Sequence, residues 1–383
     1  MKQSGTSLSL ILKILCIFMV QTLMAQVTIV ITELPDNSYN DSIYISGDFE
    51  GWSGGNKKYR LNKVRDHYTI TLDNDQLQHI NFKFTKGSWS TVEVNADGSN
   101  LENRAYSFAK KKDTLKISIE KWSDKTETIS TATDNVKLLA DTFFMPGLNK
   151  KRRIWIYLPS SYQNSSKSYP VIYMHDGQNL FDDAIAFSGE WSVDETLNRL
   201  SMEKKLELIV VGIENGGEER ISEYSPWDIP KYNAKAQGDA YVNFIIEALK
   251  PYVDNEYRTL SNSTNTAIMG SSLGGVISHY AALKKSDIFG KSAVFSPSFE
   301  LFPDSFEFAK KHAGLKNSKM YLMAGDQESE FMVYKMNEMA EIMTLAEFPK
   351  SNIRLKVVKG GEHNENLWKN EFEEAITWLF LSE

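Results

Sequence analysis

Cysteine is almost absent from this chain. Cys16 is the only one in 383 residues, and it lies within an apolar run at 8–20. Cleavage after residue 25 would leave none. Disulfides, thiolate metal sites and a cysteine nucleophile are then excluded together. Lys13 and Leu15 before Cys16 do not fit a lipoprotein cleavage box, which argues against lipidation. Histidine is also scarce, at six, and no His-x-x-x-His or comparable ligand pair occurs, so no metal and no cofactor is expected. A long basic run is missing. Lys and Arg number 43 against 50 Asp and Glu, a net charge of −7, so no nucleic acid partner is expected. No fixed-period repeat and no long low-complexity tract is found. With 42% hydrophobic and 24% charged positions, the composition excludes a disordered, collagen-like or coiled-coil chain. Aromatics are what the chain has in quantity, with 8 Trp, 17 Tyr and 20 Phe. Such residues mostly fill cores, and they also serve sugar-binding surfaces as stacking platforms.

The first 25 residues read as a cleavable signal peptide: Lys2 and Lys13 carry charge, the run at 8–20 is apolar, and small Ala25 precedes Gln26. The run is short for a membrane span of about 20 residues, and no later segment qualifies. An uncleaved anchor is the alternative. Cleavage removes two lysines and no acid, which takes the net charge to −9. A secreted or periplasmic location follows, with no membrane span in the mature chain.

Residues 26–122 read as a small all-β sandwich of the immunoglobulin-like kind. Short β-branched or aromatic runs at 27–32, 42–47, 68–72, 80–85, 91–94 and 114–119 are separated by turn formers such as Gly54-Gly55-Asn56 and Ala96-Asp97-Gly98. Residues 123–138 have little to bury and read as a linker. From 139 to 383 strand-like runs (153–158, 171–174, 208–212, 265–269, 292–295, 320–324, 353–358) alternate with helical stretches (193–204, 239–252, 272–285, 334–347, 366–381). That alternation predicts a mainly parallel sheet with helices on both faces.

The most informative stretch is Met269-Gly270-Ser271-Ser272-Leu273-Gly274-Gly275. An apolar strand runs through Gly-x-Ser-x-Gly into a helix. A serine at such a turn is exposed at the sheet's C-terminal edge beside free helix N–H groups, and small residues two before and two after let the turn pack. Ser272 has that spacing. An alkyl hydroxyl needs a base, and the base needs an orienting acid. In this architecture they follow in the order Ser, acid, His. His363, in the glycine-rich loop Gly360-Gly361-Glu362-His363, is the expected base, whereas His312 reads as surface. The acid should lie in Gly325-Asp326-Gln327-Glu328-Ser329-Glu330. Glu328, three after the glycine, is the first choice, Asp326 the second and Glu330 the third. Any of them could instead cap the following helix. Two backbone N–H groups are needed for the oxyanion, from Leu273 and from Gln178 in the loop after strand 171–174. His175 precedes the serine and is assigned a structural or pocket-lining role.

Several separated motifs then agree in order. Residues 170–182 with His-Asp-Gly-Gln-Asn-Leu-Phe-Asp, Gly189-Glu190-Trp191, residues 211–227, residues 268–275 and Gly360–His363 together resemble the putative-esterase family. The resemblance implies the α/β-hydrolase fold over 139–383 and serine hydrolase chemistry on an ester. Members include feruloyl and acetyl-xylan esterases of carbohydrate esterase family 1, enterochelin-type siderophore esterases, S-formylglutathione hydrolases and mycolyltransferases. Glu328 departs from the more usual Asp. Arg220, Glu223 and Tyr224 are implied to shape the pocket, or else to form a salt bridge holding a loop. At the other end, residues 43–52, Phe82-Lys83-Phe84, Trp89 and Asn103-Arg104 look like starch-binding modules of carbohydrate-binding module family 20. There two exposed Trp rings and a strand lysine form a sugar platform, which by motif means Trp52, Lys83 and Trp89. Glu93 stands four past Trp89, where the family usually has an acid directly after it.

These observations lead to a serine esterase acting on carbohydrate-linked esters of feruloyl or acetyl type, with a carbohydrate or acylated glycan as partner. A siderophore esterase and a non-catalytic glycan-binding protein are the alternatives. The oligomeric state is left open.

Overall fold

Val171–His175, Ile209–Ile213 and Thr266–Ser271 are buried at every position. A strand apolar on both faces belongs inside a sheet covered on both sides. The computed structural model places all three at the centre of such a sheet. It describes residues 26–381 apart from 36–37, 39–40, 51, 74–78, 100, 109–111, 124–129, 187–188 and 315–317. The expected signal peptide at 1–25 and the middle of the expected linker lie outside the described residues.

The large sheet has eight strands: β1 (Val136–Met145), β2 (Lys150–Tyr157), β3 (Val171–His175), β4 (Ile209–Ile213), β5 (Thr266–Ser271), β6 (Lys291–Phe295), β7 (Lys319–Gly325) and β8 (Ile353–Val358). They lie in the order β1-β2-β4-β3-β5-β6-β7-β8. The first two joins, β1 with β2 and β2 with β4, are antiparallel, and all later ones are parallel. The helices that matter for the site are α1 (Val193–Lys204), α2 (Leu273–Lys284), α3 (Met332–Leu345) and α4 (Glu365–Leu381). Alternate strand residues feed two cores. Val171 and Tyr173 of β3 pack with Ile277 and Met336 on one face, and Ile172 and Met174 pack with Leu197 and Phe372 on the other.

Strand β1 begins at Val136, inside the stretch read as linker, and was not anticipated. It is an edge strand with most positions exposed or half-exposed, so it lacks the apolar signature that marks β3 to β5. The helix expected over 239–252 is continuous backbone, but Ile245–Leu249 forms a π-turn between Gly238–Phe244 and Lys250–Glu256. The described residues of 26–122 are β-rich. Gln26–Glu33 pairs antiparallel with His67–Asp73 and parallel with Asp113–Ser118, while His79–Thr85 is flanked by Tyr44–Gly47 and Arg104–Ser107. Val27, Ile29, Ile31, Phe82 and Phe84 meet in one core between these sheets.

The two parts touch directly. Tyr232 Oη donates to the Asp48 carbonyl at 2.7 Å. Asn364 Nδ2, one residue past His363, donates to Glu102 at 2.9 Å.

Candidate active site

Strand β5 ends at Ser271, and α2 begins at Leu273, so Ser272 alone makes the turn. Its φ of 57° and ψ of −122° are outside the regions an L-residue ordinarily occupies. Such a residue costs of order 1–3 kcal/mol and persists only when its surroundings hold it. Here Ser272 N donates to the Phe295 carbonyl at 2.9 Å, and the Ser272 carbonyl accepts from Val276 N at 3.1 Å. Gly270 is required because a Cβ there would stand 2.8 Å from the Gly274 backbone. The result is a side chain pushed clear of the strand end, with Oγ 3.2 Å from Ser298 Oγ.

His363 reaches the same place from the loop after β8. Its Nδ1 lies 2.7 Å from Glu328 Oε2. Glu328 is buried and fully engaged: Oε1 accepts from Ser296 Oγ at 2.7 Å and from Gly325 N at 2.5 Å. Trp368 Nε1 donates to that Ser296 oxygen at 2.8 Å, and the Trp368 ring stands edge-on to His363 with centroids 5.2 Å apart. A buried carboxylate with this many donors stays in one orientation. Asp326, the second-choice acid, is exposed and turned elsewhere, accepting from Gly360 N at 2.7 Å. Glu330 is exposed too. The acid and histidine loops cross backbone to backbone at Gly325 and Gly361, where a Cβ on Gly325 would stand 2.2 Å from the Gly361 carbonyl oxygen.

Burial disfavours the imidazolium of His363. The Glu328 hydrogen bond and charge, with Glu300 and Glu365 beyond, outweigh that and hold its pKa above the ordinary value. The other histidines are differently placed. His175 is buried beneath the turn with Nδ1 2.8 Å from Tyr241 Oη, and burial pushes its pKa down to about 3. His279 also follows Ser272 in the chain. It is buried on α2 against Phe299, and burial drives it down to about 3 as well. His312 is exposed and stacks on Phe308.

The loop after β3 carries the other expected oxyanion donor. Gly177 fits only as glycine, since a Cβ there would stand 2.7 Å from the Gly212 backbone. Gln178 follows in the turn Gly177–Asn179, its side chain accepting from Asn215 N at 3.1 Å. Asp176, at φ 55°, precedes it. Its carboxylate takes two hydrogen bonds from Arg220, at 2.7 and 2.8 Å, and one from Asn215 at 2.7 Å. Burial would raise the Asp176 pKa, but Arg220 and Asn215 win and hold it below the usual range. Tyr224 supports this pair from below, its Oη accepting from Asp176 N at 3.2 Å. Glu223 is not part of the pocket wall. It is buried on the far side, held by Arg152 at 2.7 Å and Lys150 at 3.1 Å.

A cleft opens over Ser272 and His363, and four tryptophans line it. Trp191 and Trp368 come from the large-sheet part, with centroids 5.7 Å apart. Trp52 and Trp89 come from the N-terminal part. Their rings lie 6.0 Å apart, and Trp89 Nε1 donates to the Trp52 carbonyl at 3.0 Å. The two expected platform rings therefore face the serine rather than a separate surface. Lys83 is not beside them as an exposed donor. Only 4% of it is exposed, and burial lowers its pKa while Glu365, Glu93 and Glu102 partly restore it. A sugar platform needs its lysine at the surface, and here that side chain is buried.

Sequence reasoning did not find Ser298, Ser296, Trp368, Asn179 or Glu365. Trp368 had a usable signal, because five residues past His363 is within the first turn of the following helix. Glu365 had none. It lines the cleft with Asn103, Asp176 and Asn179, and burial pushes its carboxyl up to about 7 despite the charge of Lys83.

Residues 146–379 match the model of the family described as Putative esterase. An alpha-amylase from Niallia circulans is 31% identical over 87 residues, which is 22% of this chain and 7% of the amylase. A ferulic acid esterase superposes with a TM-score of 0.50 at 20% identity, over 64% of this chain and 98% of its own. The enterobactin esterase FES from Shigella flexneri, solved in the presence of 2,3-di-hydroxy-N-benzoyl-glycine, superposes with a TM-score of 0.55 at 14% identity, over 89% of this chain and 88% of that one. Identities this low carry the fold alone: an α/β-hydrolase-like arrangement with a large mixed sheet. No helix among the described residues is long and apolar enough to cross a membrane.

Proposed function

The chain belongs to the Putative esterase family, and we propose that it is a serine carboxylic-ester hydrolase acting on carbohydrate-linked esters of hydroxylated aromatic acids, feruloyl esters above all. The observation that carries this reading is the cleft itself: Ser272 and His363 line it with four tryptophans, of which Trp52 and Trp89 keep ring surface exposed. Flat indoles stack on aromatic acids and on the apolar faces of sugar rings, and such a contact contributes about 0.5–1.5 kcal/mol. An acetyl group would leave most of that surface unused. Glu365, with a pKa near neutrality, offers a carboxyl that donates to or accepts from a substrate hydroxyl.

In this reading His363 Nε2 takes the proton of Ser272 Oγ as the oxygen attacks the ester carbonyl. The hydroxyl leaves its resting contact with Ser298 to do so. Glu328 holds Nδ1–H and stabilises the imidazolium that forms. Backbone N–H groups of Leu273 and Gln178 receive the oxyanion. The imidazolium then protonates the departing alkoxide, which leaves an acyl group on Ser272. Water, deprotonated by His363, attacks the acyl carbon and frees Ser272.

The same reading divides the chain into a signal peptide at 1–25, a glycan-binding module at 26–122, a short linker and the hydrolase part, and it places the protein outside the cytoplasm. The module then acts as a wall of the active site through Trp52 and Trp89. The likeness to an alpha-amylase over 87 residues supports a glycan-binding origin for part of the chain. A siderophore ester is the second reading, favoured by a likeness to FES that extends over both parts. Against it, the cleft's one arginine is neutralised by Asp176 and so offers little positive field to an anionic chelate.

A substrate panel tests this. Methyl ferulate, acetylated xylan, a catecholate trilactone and 4-nitrophenyl acetate are assayed with the mature chain. Feruloyl turnover should dominate, and turnover of the trilactone alone would replace this reading with the second. Trp52→Ala and Trp89→Ala should each raise KM for methyl ferulate about tenfold with kcat little changed, because 1.4 kcal/mol of uniform binding is a factor of ten. If KM is unmoved by both, the N-terminal part takes no share in substrate binding.

A further inference from the structure

Away from the serine, three carboxylates converge at the start of α1. We propose that Glu190, Asp194 and Glu195 hold one Ca²⁺ ion. One oxygen of each lies within 4.8 Å of the others. Asp194 is wholly buried, and its Oδ1 has no partner beyond the neighbouring Glu195 carboxyl. Glu190 Oε1 and Glu195 Oε2 are likewise buried and unpartnered. None of the three takes part in a salt bridge among the described residues. Lys369 is the cation whose charge reaches Glu190.

A helix N-terminus favours acids, which accounts for Asp194 and Glu195 being in the first turn of α1. It does not account for three orphaned oxygens. Unsatisfied buried acceptors are destabilising, and more so when charged. A divalent cation removes that cost. The donor set is all oxygen with no imidazole or sulfur, which suits a hard ion. Ca²⁺ accepts irregular oxygen cages, while Mg²⁺ demands near-ideal octahedral geometry and gives up water reluctantly.

The remaining oxygens of the cluster tie down the segment leading into β1. Thr133 N donates to Asp194 Oδ2 at 2.8 Å, and Thr131 Oγ1 donates to Glu190 Oε2 at 3.1 Å. Glu190 is next to Trp191, which stacks on Phe295 and lines the cleft. A bound ion therefore fastens the segment 130–133 and one tryptophan wall together. This inference does not depend on the ester reading, and its test does not use activity.

The mature chain, stripped with a chelator, is titrated with CaCl₂ to about 1 mM, the range of weak extracellular sites. Calorimetry should give one ion per chain, and the melting temperature should rise by about 3–5 °C. Equal Mg²⁺ should give a smaller rise. Glu190→Gln and Glu195→Gln should remain folded and lose the Ca²⁺ response. They are preferred to Asp194→Asn, which also disturbs the Thr133 contact. A wild-type melting temperature indifferent to Ca²⁺ overturns the proposal. So does a response that persists in both variants, which would put the ion elsewhere. A Glu195→Gln chain that melts above wild type with and without Ca²⁺ overturns it too, by assigning the cluster a shared proton instead of a metal.

Discussion

Ser272→Ala is expected to lower kcat on 4-nitrophenyl acetate by about 10⁶-fold, which corresponds to about 8 kcal/mol of transition-state stabilisation. The size follows from the role proposed for Ser272. Removing the nucleophile removes the whole covalent route, and His363 and Glu328 then have nothing to activate. Residual catalysis of about 10³–10⁴ over water would come from the oxyanion donors and binding alone. The substitution should leave the fold intact. Ser272 N and its carbonyl hold the turn, and alanine keeps both, while the lost Oγ contact to Ser298 is a single hydrogen bond worth about 0.5–1.5 kcal/mol. An unchanged melting temperature with retained turnover would mean that Ser272 is not the nucleophile. The non-catalytic glycan-binding reading makes a different prediction: no turnover by the wild-type chain to begin with.

The second large effect concerns the acid. Glu328→Gln should lower kcat by about 10³–10⁴-fold, the scale of an acid-to-amide change at this position of a triad. An amide at 328 can keep one bond to Ser296 or Gly325, but it no longer offers His363 Nδ1–H a charged acceptor on the other side. The imidazole is then free to adopt the tautomer that cannot take the serine proton. Asp326→Asn should stay within a few-fold of wild type, since the Asp326 carboxylate holds the Gly360 amide and the neighbouring Gln327 side chain and does not face His363. The reverse pattern, with Asp326→Asn the inactive one, would move the acid to residue 326.

The pH profile gives an independent check. His363 must be neutral to accept the serine proton, and its pKa is held above the ordinary value chiefly against burial by Glu328. Activity should therefore fall as pH drops through a value above about 6.5. In Glu328→Gln that limb should move to lower pH. The same group contributes to stability with the opposite sign. A folded-state pKa above the unfolded one means the native chain binds the proton more tightly. That contribution is full below about 6.5 and disappears as pH rises through the folded value.

What could be read from the chain without its structure was local. A strand, Gly-x-Ser-x-Gly and a helix specify a backbone path within ten residues, so Ser272 was legible. So was His363, in a glycine loop behind a strand. The alternation of strand and helix from 139 onward likewise reported a sheet covered on both faces, because each element's own period exposes what it must bury. Glu328 was legible only as one of three acids. Which of them faces the imidazole depends on how the loops after β7 and β8 cross at Gly325 and Gly361, and those glycines lie 36 residues apart. Trp52, Trp89 and Lys83 show the limit more sharply. Their motif identified two rings and a lysine, but whether the rings face solvent or Ser272 is decided by the docking of one part on another. That contact is made by Tyr232 on Asp48 and Asn364 on Glu102, pairs far apart in sequence and without periodicity. The same holds for Glu365 in the cleft and for the three carboxylates at α1. Burial gives a charged side chain its altered pKa and its unmet hydrogen bonds, and burial is a property of the assembled chain.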